Sequence, residues 1–306
     1  MITLHGLKID DRPGDDSELA AGADLRWVRR SAEIIGSDTE SSALLETRAD
    51  GAWTRQIFAD GESVKARFSI SPDGSLVQSV AVPGVPEAAL LELLSETVMR
   101  SVFRHRGIVS FHAAALSRDG RGILLMGDRG AGKSTLSMAL VQTGWTLMAD
   151  DLVRVVSAES AWSFPAGLRQ SKITEETAVA LGLDLAQLPR RWTAMGQTEI
   201  SNSVNKLIYK HPDADSADVS LTSIYVLAPR RSDTASPLVE NLSAAERLTV
   251  LLRNLTRDGA CPAAPISAAE NTTALRIVGA VPVRLLTMPD ELDSLMPIAA
   301  NQLFAL

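Results

Sequence analysis

The chain has 306 residues, enough for one large domain or two moderate ones. Apolar residues make up 45% of the chain and charged residues 22%, so the composition predicts a packed core and excludes a disordered chain. The net charge of −7, with no long run of Lys and Arg, argues against a nucleic-acid partner, because such proteins carry a basic patch.

The cysteine content and the apolar runs predict a cytoplasmic protein. Cys261 is the only cysteine, which excludes an internal disulfide framework and fits a reducing compartment. The first residues lack the basic and apolar segments of a secretory signal. Apolar runs elsewhere are too short to cross a bilayer, so we expect no membrane partner.

The N-terminal region alternates between apolar and polar residues, a pattern typical of strands with one face in solvent. A polar turn is predicted over residues 10–16, before the first of these strands. We expect strands over residues 25–29, 51–58, 63–70 and 75–82. Short turns separate them, so we expect these strands to pair antiparallel.

The sequence then changes character after a Pro/Gly-rich segment. Apolar residues recur at helical spacing over residues 87–104, which predicts a helix that packs on a core. We therefore divide the chain into a β-rich N-terminal region, residues 1–84, and a second domain, residues 85–306.

Predicted strands and helices alternate through the second domain, which is typical of an α/β core. Strands are expected over residues 108–116, 122–126, 145–149, 152–157, 223–228 and 282–287. Helices are expected over residues 134–142, 174–181, 243–255 and 290–303. Ser243 and Glu246 have the spacing of a capping box at the start of the third helix.

A complete phosphate-binding loop lies between a predicted buried strand and a predicted helix. It reads Gly127-Asp128-Arg129-Gly130-Ala131-Gly132-Lys133-Ser134-Thr135. In such a loop the backbone N–H groups surround a polyphosphate, Lys133 reaches the β- and γ-phosphates, and the Ser134 hydroxyl holds Mg²⁺. The strand before it and the helix after it are the context that this motif requires. The loop therefore predicts a polyphosphate ligand with Mg²⁺.

Two adjacent carboxylates, Asp150 and Asp151, follow the next predicted strand. The carboxyl end of a strand is where an α/β sheet presents ligand-binding residues. In phosphoryl transfer, one carboxylate holds Mg²⁺ and another accepts the proton of the attacking hydroxyl. The pair can divide these tasks, or one acid can hold Mg²⁺ while its neighbour is only solvated.

Several basic side chains are further candidates. His112 lies in the apolar strand before the phosphate loop, where a lone histidine is usually a core residue. If its strand neighbours the phosphate-loop strand, the ring can reach the γ-phosphate or the metal. Arg169 and Lys172 can each clamp a phosphate or an acidic group, although a solvated surface pair is the favoured interpretation. The signal at Lys206 is weaker still.

Three motifs together resemble the catalytic domain of HPr kinase/phosphorylase. They are Phe111 to Leu116, the phosphate loop, and Gly144 to Val153 with its Ala-Asp-Asp sequence. More closely, they resemble the HPr-kinase-like proteins of bacterial peptide-modification gene clusters, including kinases of lasso-peptide precursors. This resemblance implies a P-loop kinase core with a mixed sheet, similar to phosphoenolpyruvate carboxykinase, after the β-rich region.

The resemblance also implies roles for particular residues. Lys133 and Ser134 would handle the β- and γ-phosphates and Mg²⁺, and His112 would contact the transferring phosphate. Asp150 and Asp151 would share metal binding and base duty, with Ser134 and Asp151 as the metal ligands. Arg169 would be a phosphate or substrate clamp. A homo-oligomer is also typical of the family.

We therefore expect an ATP- and Mg²⁺-dependent serine kinase that acts on a small protein or a ribosomal precursor peptide. Thr135 occupies the position of an acidic residue in the HPr enzymes, which argues against HPr as the acceptor and against the reverse reaction. A nucleotide-binding sensor or assembly ATPase and a kinase of a small metabolite remain alternatives. We expect the acceptor to meet loops such as residues 188–205.

Overall fold

The computed structural model describes most of the chain, in nine segments. These are residues 1–13, 22–31, 54–60, 63–158, 161–190, 206–212, 217–233, 236–256 and 265–290. The described residues fall into two compact units. Unit 1 contains those between 1 and 108 together with Pro265, and unit 2 contains those within 109–190, 206–256 and 266–290.

This division lies further along the chain than the predicted boundary after residue 84, because the helical segment packs on the N-terminal sheet. The His5 ring hydrogen-bonds through Nε2 to the carbonyl oxygen of Ser95, at 2.8 Å. The same ring contacts Phe103 edge to face, with 5.7 Å between centroids. Residues 85–108 therefore group with unit 1 and not with the α/β unit.

Unit 1 contains one mixed sheet whose described strands run in the order β1-β2-β3-β6-β5-β4. The strands are β1 (Ile2–Leu4), β2 (Leu7–Pro13), β3 (Leu25–Ser31), β4 (Thr54–Asp60), β5 (Ser63–Ile70) and β6 (Leu76–Ala81). Alternate residues of β6 are buried, as predicted for a sheet with one face in solvent.

Two predictions for unit 1 are wrong. The sheet is not purely antiparallel, since β3 runs parallel to both β2 and β6. Alternation of apolar and polar residues shows which face of a strand is buried, but it does not show the direction of the strand. The connections between β3 and its neighbours are long enough for parallel pairing. Residues 10–13, predicted as part of a turn, belong to β2, because Asp10 to Pro13 pair with β3.

The predicted helix after the sheet is confirmed, with an irregular middle. It consists of α1 (Glu87–Leu93), a π-helical turn (Leu94–Val98) and α2 (Met99–His105). The predicted apolar positions are buried, including Leu94, Val98 and Val102. The extra residue in each π-type hydrogen-bonded ring lets the apolar face stay on the core through the whole segment.

Unit 2 contains an α/β layer arrangement built on a large mixed sheet. Its described strands are β7 (Ser110–Phe111), β8 (Ala114–Arg118), β9 (Arg121–Met126), β10 (Thr146–Ala149), β11 (Val153–Arg154), β12 (Val156–Ala158), β13 (Ala161–Phe164), β14 (Gln170–Ile173), β15 (Leu207–Lys210), β16 (Val219–Leu227), β17 (Leu238–Asn241) and β18 (Val283–Thr287). Its described α-helices are α3 (Lys133–Gln142), α4 (Glu175–Ala180), α5 (Ala244–Arg253) and α6 (Ala268–Ala280).

The direction of the strands determines which loops meet. The main sheet runs in the order β10-β8-β9-β16-β13-β12, with β18 beside β16 and β17 beside β18. Strand β9 is parallel to β16 and antiparallel to β8, and β8 is antiparallel to β10. The carboxyl ends of β9, β10 and β16 therefore lie at the same edge as the start of β8. Two small sheets, β7 with β11 and β14 with β15, complete the unit.

The two faces of β9 enter two different apolar clusters. Ile123 and Leu125 pack with Leu136 of α3 on one face. Leu124 and Met126 pack on the other face in a cluster that includes residues of α5 and α6. Both faces of the strand are buried, which explains its unbroken apolar sequence.

The structure confirms most predicted elements of unit 2, and Ser243 and Glu246 form the predicted capping box. The strand predicted over residues 108–116 is instead divided into β7 and β8, with His112 and Ala113 in the break. Sequence reasoning did not find β13, β14, β15, β17 or α6. The helix predicted over residues 290–303 lies, from residue 291, outside the described residues, as does Cys261. No helix within the described segments is long and apolar enough to cross a membrane.

Candidate active site

Four chain segments meet at one edge of the main sheet in unit 2. The phosphate loop follows the end of β9, and the Asp150-Asp151 pair follows the end of β10. His112 precedes the start of β8, which lies between those two strands. The segment after β16 emerges on the other side of β9. The sheet thus brings together the three motifs that the sequence singled out.

The phosphate loop has the backbone conformation of an anion-binding turn. Gly127, Gly130 and Gly132 have φ angles of 142°, 85° and 94°, which side chains other than glycine rarely adopt. Gly132 is also the N-cap of α3, so the helix begins at Lys133. Successive backbone N–H groups and the positive end of a helix therefore face the same place.

Lys133 lies inside its own loop. Its Nζ donates hydrogen bonds to the carbonyl oxygens of Gly127, at 2.8 Å, and Asp128, at 3.2 Å. Burial lowers the pKa of Lys133, and the charges of Asp151 and Asp150 act in the opposite direction. The ammonium group is therefore a buried cation held by carbonyl dipoles beside two carboxylates.

The next two residues of α3 face different partners. The Ser134 hydroxyl lies 3.5 Å from Oδ2 of Asp150. The Thr135 hydroxyl lies 3.2 Å from that of Thr177 in α4, so it joins two helices. Ser134 is therefore on the side of the carboxylate pair, whereas Thr135 contributes to packing between α3 and α4.

The Asp150-Asp151 pair forms a tight turn with a strained centre. Asp151 has a φ of 67°, in the left-handed region. The N–H of Leu152 donates to the carbonyl oxygen of Asp150 at 2.9 Å, which closes a three-residue γ-turn around Asp151. The Asp151 N–H donates to Oδ1 of Asp150 at 3.1 Å. Backbone strain of this kind is frequent at functional sites.

Asp151 meets two basic side chains. Nζ of Lys172 lies 3.0 Å from its Oδ2, and the Lys172 side chain is only 8% exposed. Nδ1 of His112 lies 3.2 Å from the Asp151 carbonyl oxygen and 3.9 Å from its Oδ1. His112, in the strand break, is half-buried with its ring on the carboxylate pair, and it is not the core residue that its apolar context suggests.

Sequence reasoning underestimated Lys172 and Lys206. Lys172 is a buried partner of Asp151, not part of a solvated surface pair. Lys206, just before β15, has a pKa lowered by burial, and the charges of Asp151 and Lys172 also act on it. Strand β14 pairs with β15, which brings both lysines to the carboxylates. Neither strand was predicted, so nothing in the sequence pattern placed these cations near Asp151.

Arg169, the predicted phosphate or substrate clamp, hydrogen-bonds to strand β10. Its Nε donates to the carbonyl oxygen of Leu147 at 2.7 Å, and the N–H of Gly167 donates to that of Met148 at 2.8 Å. These bonds cover the free edge of β10, which is an end strand of the sheet. Residues 169 and 172 lie on opposite faces of an extended segment, so the structure brings Lys172 and not Arg169 to the carboxylates.

Asn254, after α5, is a further residue that sequence reasoning missed. Its Oδ1 accepts a hydrogen bond from the N–H of Gly127 at 3.1 Å, and its Nδ2 donates to the Val250 carbonyl oxygen at 2.8 Å. Its own carbonyl oxygen accepts from the N–H of His112 at 2.8 Å. One residue thus holds both the start of the phosphate loop and the histidine segment.

The donor groups suit a polyphosphate with a divalent cation. The loop offers N–H groups and a lysine, and the Ser134 hydroxyl and the Asp150-Asp151 carboxylates lie beside it as oxygen donors. Within the described part of the chain, no three His, Cys, Asp or Glu side chains cluster as a metal site. Mg²⁺ bound by one or two carboxylates typically completes its coordination with phosphate oxygens and water. The site therefore fits Mg²⁺ together with a nucleotide better than Mg²⁺ alone.

Comparison with known proteins agrees with this arrangement. Residues 106–176 match the family described as HPr Serine kinase C-terminal domain, and this segment holds His112, the phosphate loop and the carboxylate pair. Residues 106–176 are HPr-kinase-like. The predicted α/β fold with a P-loop kinase core is confirmed with it.

The solved HPr(Ser) kinase/phosphatase from Coxiella burnetii is similar, with 17% identity, over 62% of this chain and 92% of that chain, at a TM-score of 0.30. A comparison with curated proteins finds no match.

Proposed function

We propose that this protein is an ATP- and Mg²⁺-dependent kinase that transfers the γ-phosphate to a serine hydroxyl of a small protein or peptide. One observation carries the proposal. The phosphate loop, the Asp150-Asp151 turn and His112 converge at one edge of the sheet, within the segment that matches the HPr kinase family. Phosphoryl transfer needs positioned charges more than covalent chemistry, and this edge supplies them.

The loop and its helix would hold the phosphates. Gly132 caps α3, so the positive end of this helix lies at the loop, and the Lys133 ammonium group adds positive charge there. Bound ATP supplies the phosphoryl group, and Mg²⁺ neutralises its negative charge. The hydroxyl of Ser134 faces Asp150, so we assign the cation to Ser134 and Asp150. The sequence had suggested Ser134 and Asp151.

Asp151 is then the proton acceptor. Its carboxylate contacts Nζ of Lys172 at 3.0 Å, and this ion pair fixes its orientation. The new bond joins the acceptor oxygen to the γ-phosphorus as the bond to the ADP oxygen breaks, and the hydroxyl proton passes to an Asp151 carboxylate oxygen. His112 touches the Asp151 backbone and would contact the transferring phosphoryl group.

The description of the matched family supports a serine acceptor on a polypeptide. The segment 188–205, where we expect the acceptor to bind, lies outside the described residues from residue 191 onward. The class of acceptor, a peptide or a small protein, is therefore proposed from the family resemblance.

The test is a phosphate-transfer assay with labelled ATP, Mg²⁺, HPr and the peptides encoded beside the gene. We expect one of these acceptors to gain a phosphoserine. Lys133→Met should lower the rate by about 100-fold or more, as expected when a donor to the reacting phosphates is removed. Lys8→Met, on an exposed lysine of the N-terminal sheet, is the matched control and should keep the wild-type rate.

Two results would contradict the proposal. ATP binding without transfer to any of these acceptors would favour the nucleotide-binding sensor. Transfer to a small metabolite but to no polypeptide would favour the metabolite kinase.

A further inference from the structure

Arg230 reaches the phosphate loop from the neighbouring strand. Strand β16 lies parallel to β9, with Val226 opposite Met126, so both strands end at the same edge. The chain leaves β16 after Leu227 and reaches Arg230 three residues later. The backbone is fixed just beyond this point, since the N–H of Arg231 donates to the Met288 carbonyl oxygen at 3.0 Å.

The Arg230 side chain lies directly against Gly132. A Cβ atom built on Gly132 would lie 2.9 Å from Nη2 of Arg230, 3.4 Å from its Nε and 3.6 Å from its Cζ. The guanidinium group therefore occupies the space that a side chain at Gly132 would need. Gly132 immediately precedes Lys133 and caps α3, so the arginine lies at the part of the loop that binds phosphate.

The charges around Arg230 are unfavourable in the absence of an anion. The guanidinium faces the positive end of α3, close to Lys133. Among the described residues, no carboxylate or carbonyl group forms a hydrogen bond or ion pair with Arg230. The next residue differs, because Arg231 pairs with Asp233 at 2.6 Å. A half-buried guanidinium that lies against a phosphate loop, with no anionic partner among the described residues, is arranged to receive an anion.

We propose that Arg230 is a phosphate-binding residue that contacts the polyphosphate of the bound nucleotide. This inference rests on the proposed function and adds a second cation, from another strand, to the one supplied by Lys133. The planar guanidinium donates paired N–H groups to phosphate oxygens, which an ammonium group cannot do. Because the contact is with phosphate, it does not depend on the base or the ribose.

The test measures equilibrium binding of ATP and of inorganic tripolyphosphate, which lacks the base and the ribose. Arg230→Ala should weaken both by about tenfold or more, as expected for the loss of a charge-assisted hydrogen bond. Arg230→Lys should recover only part of the affinity. Arg231→Ala is the matched control, since it removes the adjacent arginine and its pairing with Asp233, and it should change either affinity by less than about twofold.

The thermal unfolding midpoint of the ligand-free protein shows whether Arg230 contributes to packing of the loop rather than to phosphate binding. Arg230→Ala should leave it unchanged or slightly higher, because a positive charge is removed from the positive end of a helix. A midpoint several degrees lower would assign Arg230 to packing of the loop and overturn the inference.

The binding results distinguish the inference from the proposed function. Equal affinities of wild type and Arg230→Ala for both ligands would overturn the inference and leave the kinase proposal intact. Loss of ATP binding with unchanged tripolyphosphate binding would place Arg230 at the nucleoside and also overturn it. Failure of the wild-type protein to bind either ligand would overturn the kinase proposal, and this inference with it.

Discussion

Asp150 and Asp151 are adjacent in sequence but have different surroundings. Asp150 is buried and faces the hydroxyl of Ser134, whereas Asp151 is partly exposed and pairs with Lys172. The γ-turn centred on Asp151, with its positive φ, joins these two environments.

Neutralising each carboxylate by substitution should therefore affect a different kinetic property. Asp150→Asn should raise the Mg²⁺ concentration for half-maximal transfer by about tenfold or more, because a charged contact with the cation is lost. Asp151→Asn should lower kcat by about 10²- to 10⁴-fold, the usual contribution of a general base, with little change in ATP affinity. Steady-state kinetics over a range of Mg²⁺ concentrations measure both effects.

Asp119→Asn is a suitable control, because that carboxylate is 87% exposed in the turn between β8 and β9. Thermal unfolding should accompany the kinetics, since Asp151→Asn leaves the Lys172 ammonium group without its carboxylate partner. The opposite pattern, with Asp150→Asn reducing kcat at saturating Mg²⁺ and Asp151→Asn changing the Mg²⁺ requirement, would exchange the two roles.

At the scale of elements, the carboxyl end of α5 organises the site without contributing a reacting group. Asn254 accepts from Gly127 and from His112, one through its side chain and the other through its backbone. Leu255 forms a bridge to Phe111, and the N–H of Thr256 donates to Ser110 at 2.9 Å. The end of the helix is thus paired with the histidine segment and tied to the loop.

Asn254→Ala should impair positioning of the phosphate loop. It removes the acceptor for the Gly127 N–H and should cost about 1 kcal/mol of unfolding free energy, the usual value for one hydrogen bond. Because the loop geometry changes, ATP affinity should fall by about threefold or more even for fully folded protein. Calorimetric titration with ATP and chemical denaturation measure the two quantities.

The other end of the same helix provides the control. Ser243→Ala removes the capping box, which should cost about 1 kcal/mol of stability, yet Ser243 lies at the opposite end of α5. Its ATP affinity should equal that of the wild type. If the two variants lose affinity equally, Asn254 acts only through the stability of the helix.

At the scale of the whole molecule, every described residue of the candidate site belongs to unit 2. The phosphate loop, the carboxylate pair, His112 and Arg230 all lie between residues 109 and 256. The six-stranded sheet of unit 1 contributes none of the described site residues. Nucleotide binding should therefore order unit 2 in particular.

Amide hydrogen exchange with and without Mg²⁺ and ATP tests this expectation. Protection should increase in residues 110–113, 127–136 and 149–153, because binding stabilises the local conformations that must open for exchange. The strands of unit 1, such as β5 and β6, should exchange at the same rate in both conditions. Protection confined to unit 1 would contradict the location of the site.

The sequence by itself determined the local chemistry of this protein. A strand, a glycine-rich loop and a helix are contiguous, so the phosphate loop and its Lys133 and Ser134 were recognisable from residue order alone. The capping box of α5 and most strands of the α/β core were predicted for the same reason, since each depends on residues that lie close together in sequence. The resemblance to HPr kinases also rests on contiguous motifs and is confirmed by residues 106–176.

Only the tertiary structure decided which distant residues complete the site. Four residues of the site belong to no sequence motif: Lys172, Lys206, Arg230 and Asn254. Strand pairing and helix packing between segments far apart in sequence bring them to the site. Likewise, no sequence pattern indicated the parallel strands of unit 1, the break at His112 or the turn at Asp151. Residue patterns report which side of an element is buried, whereas strand direction, register and long-range contacts depend on how the elements pack together.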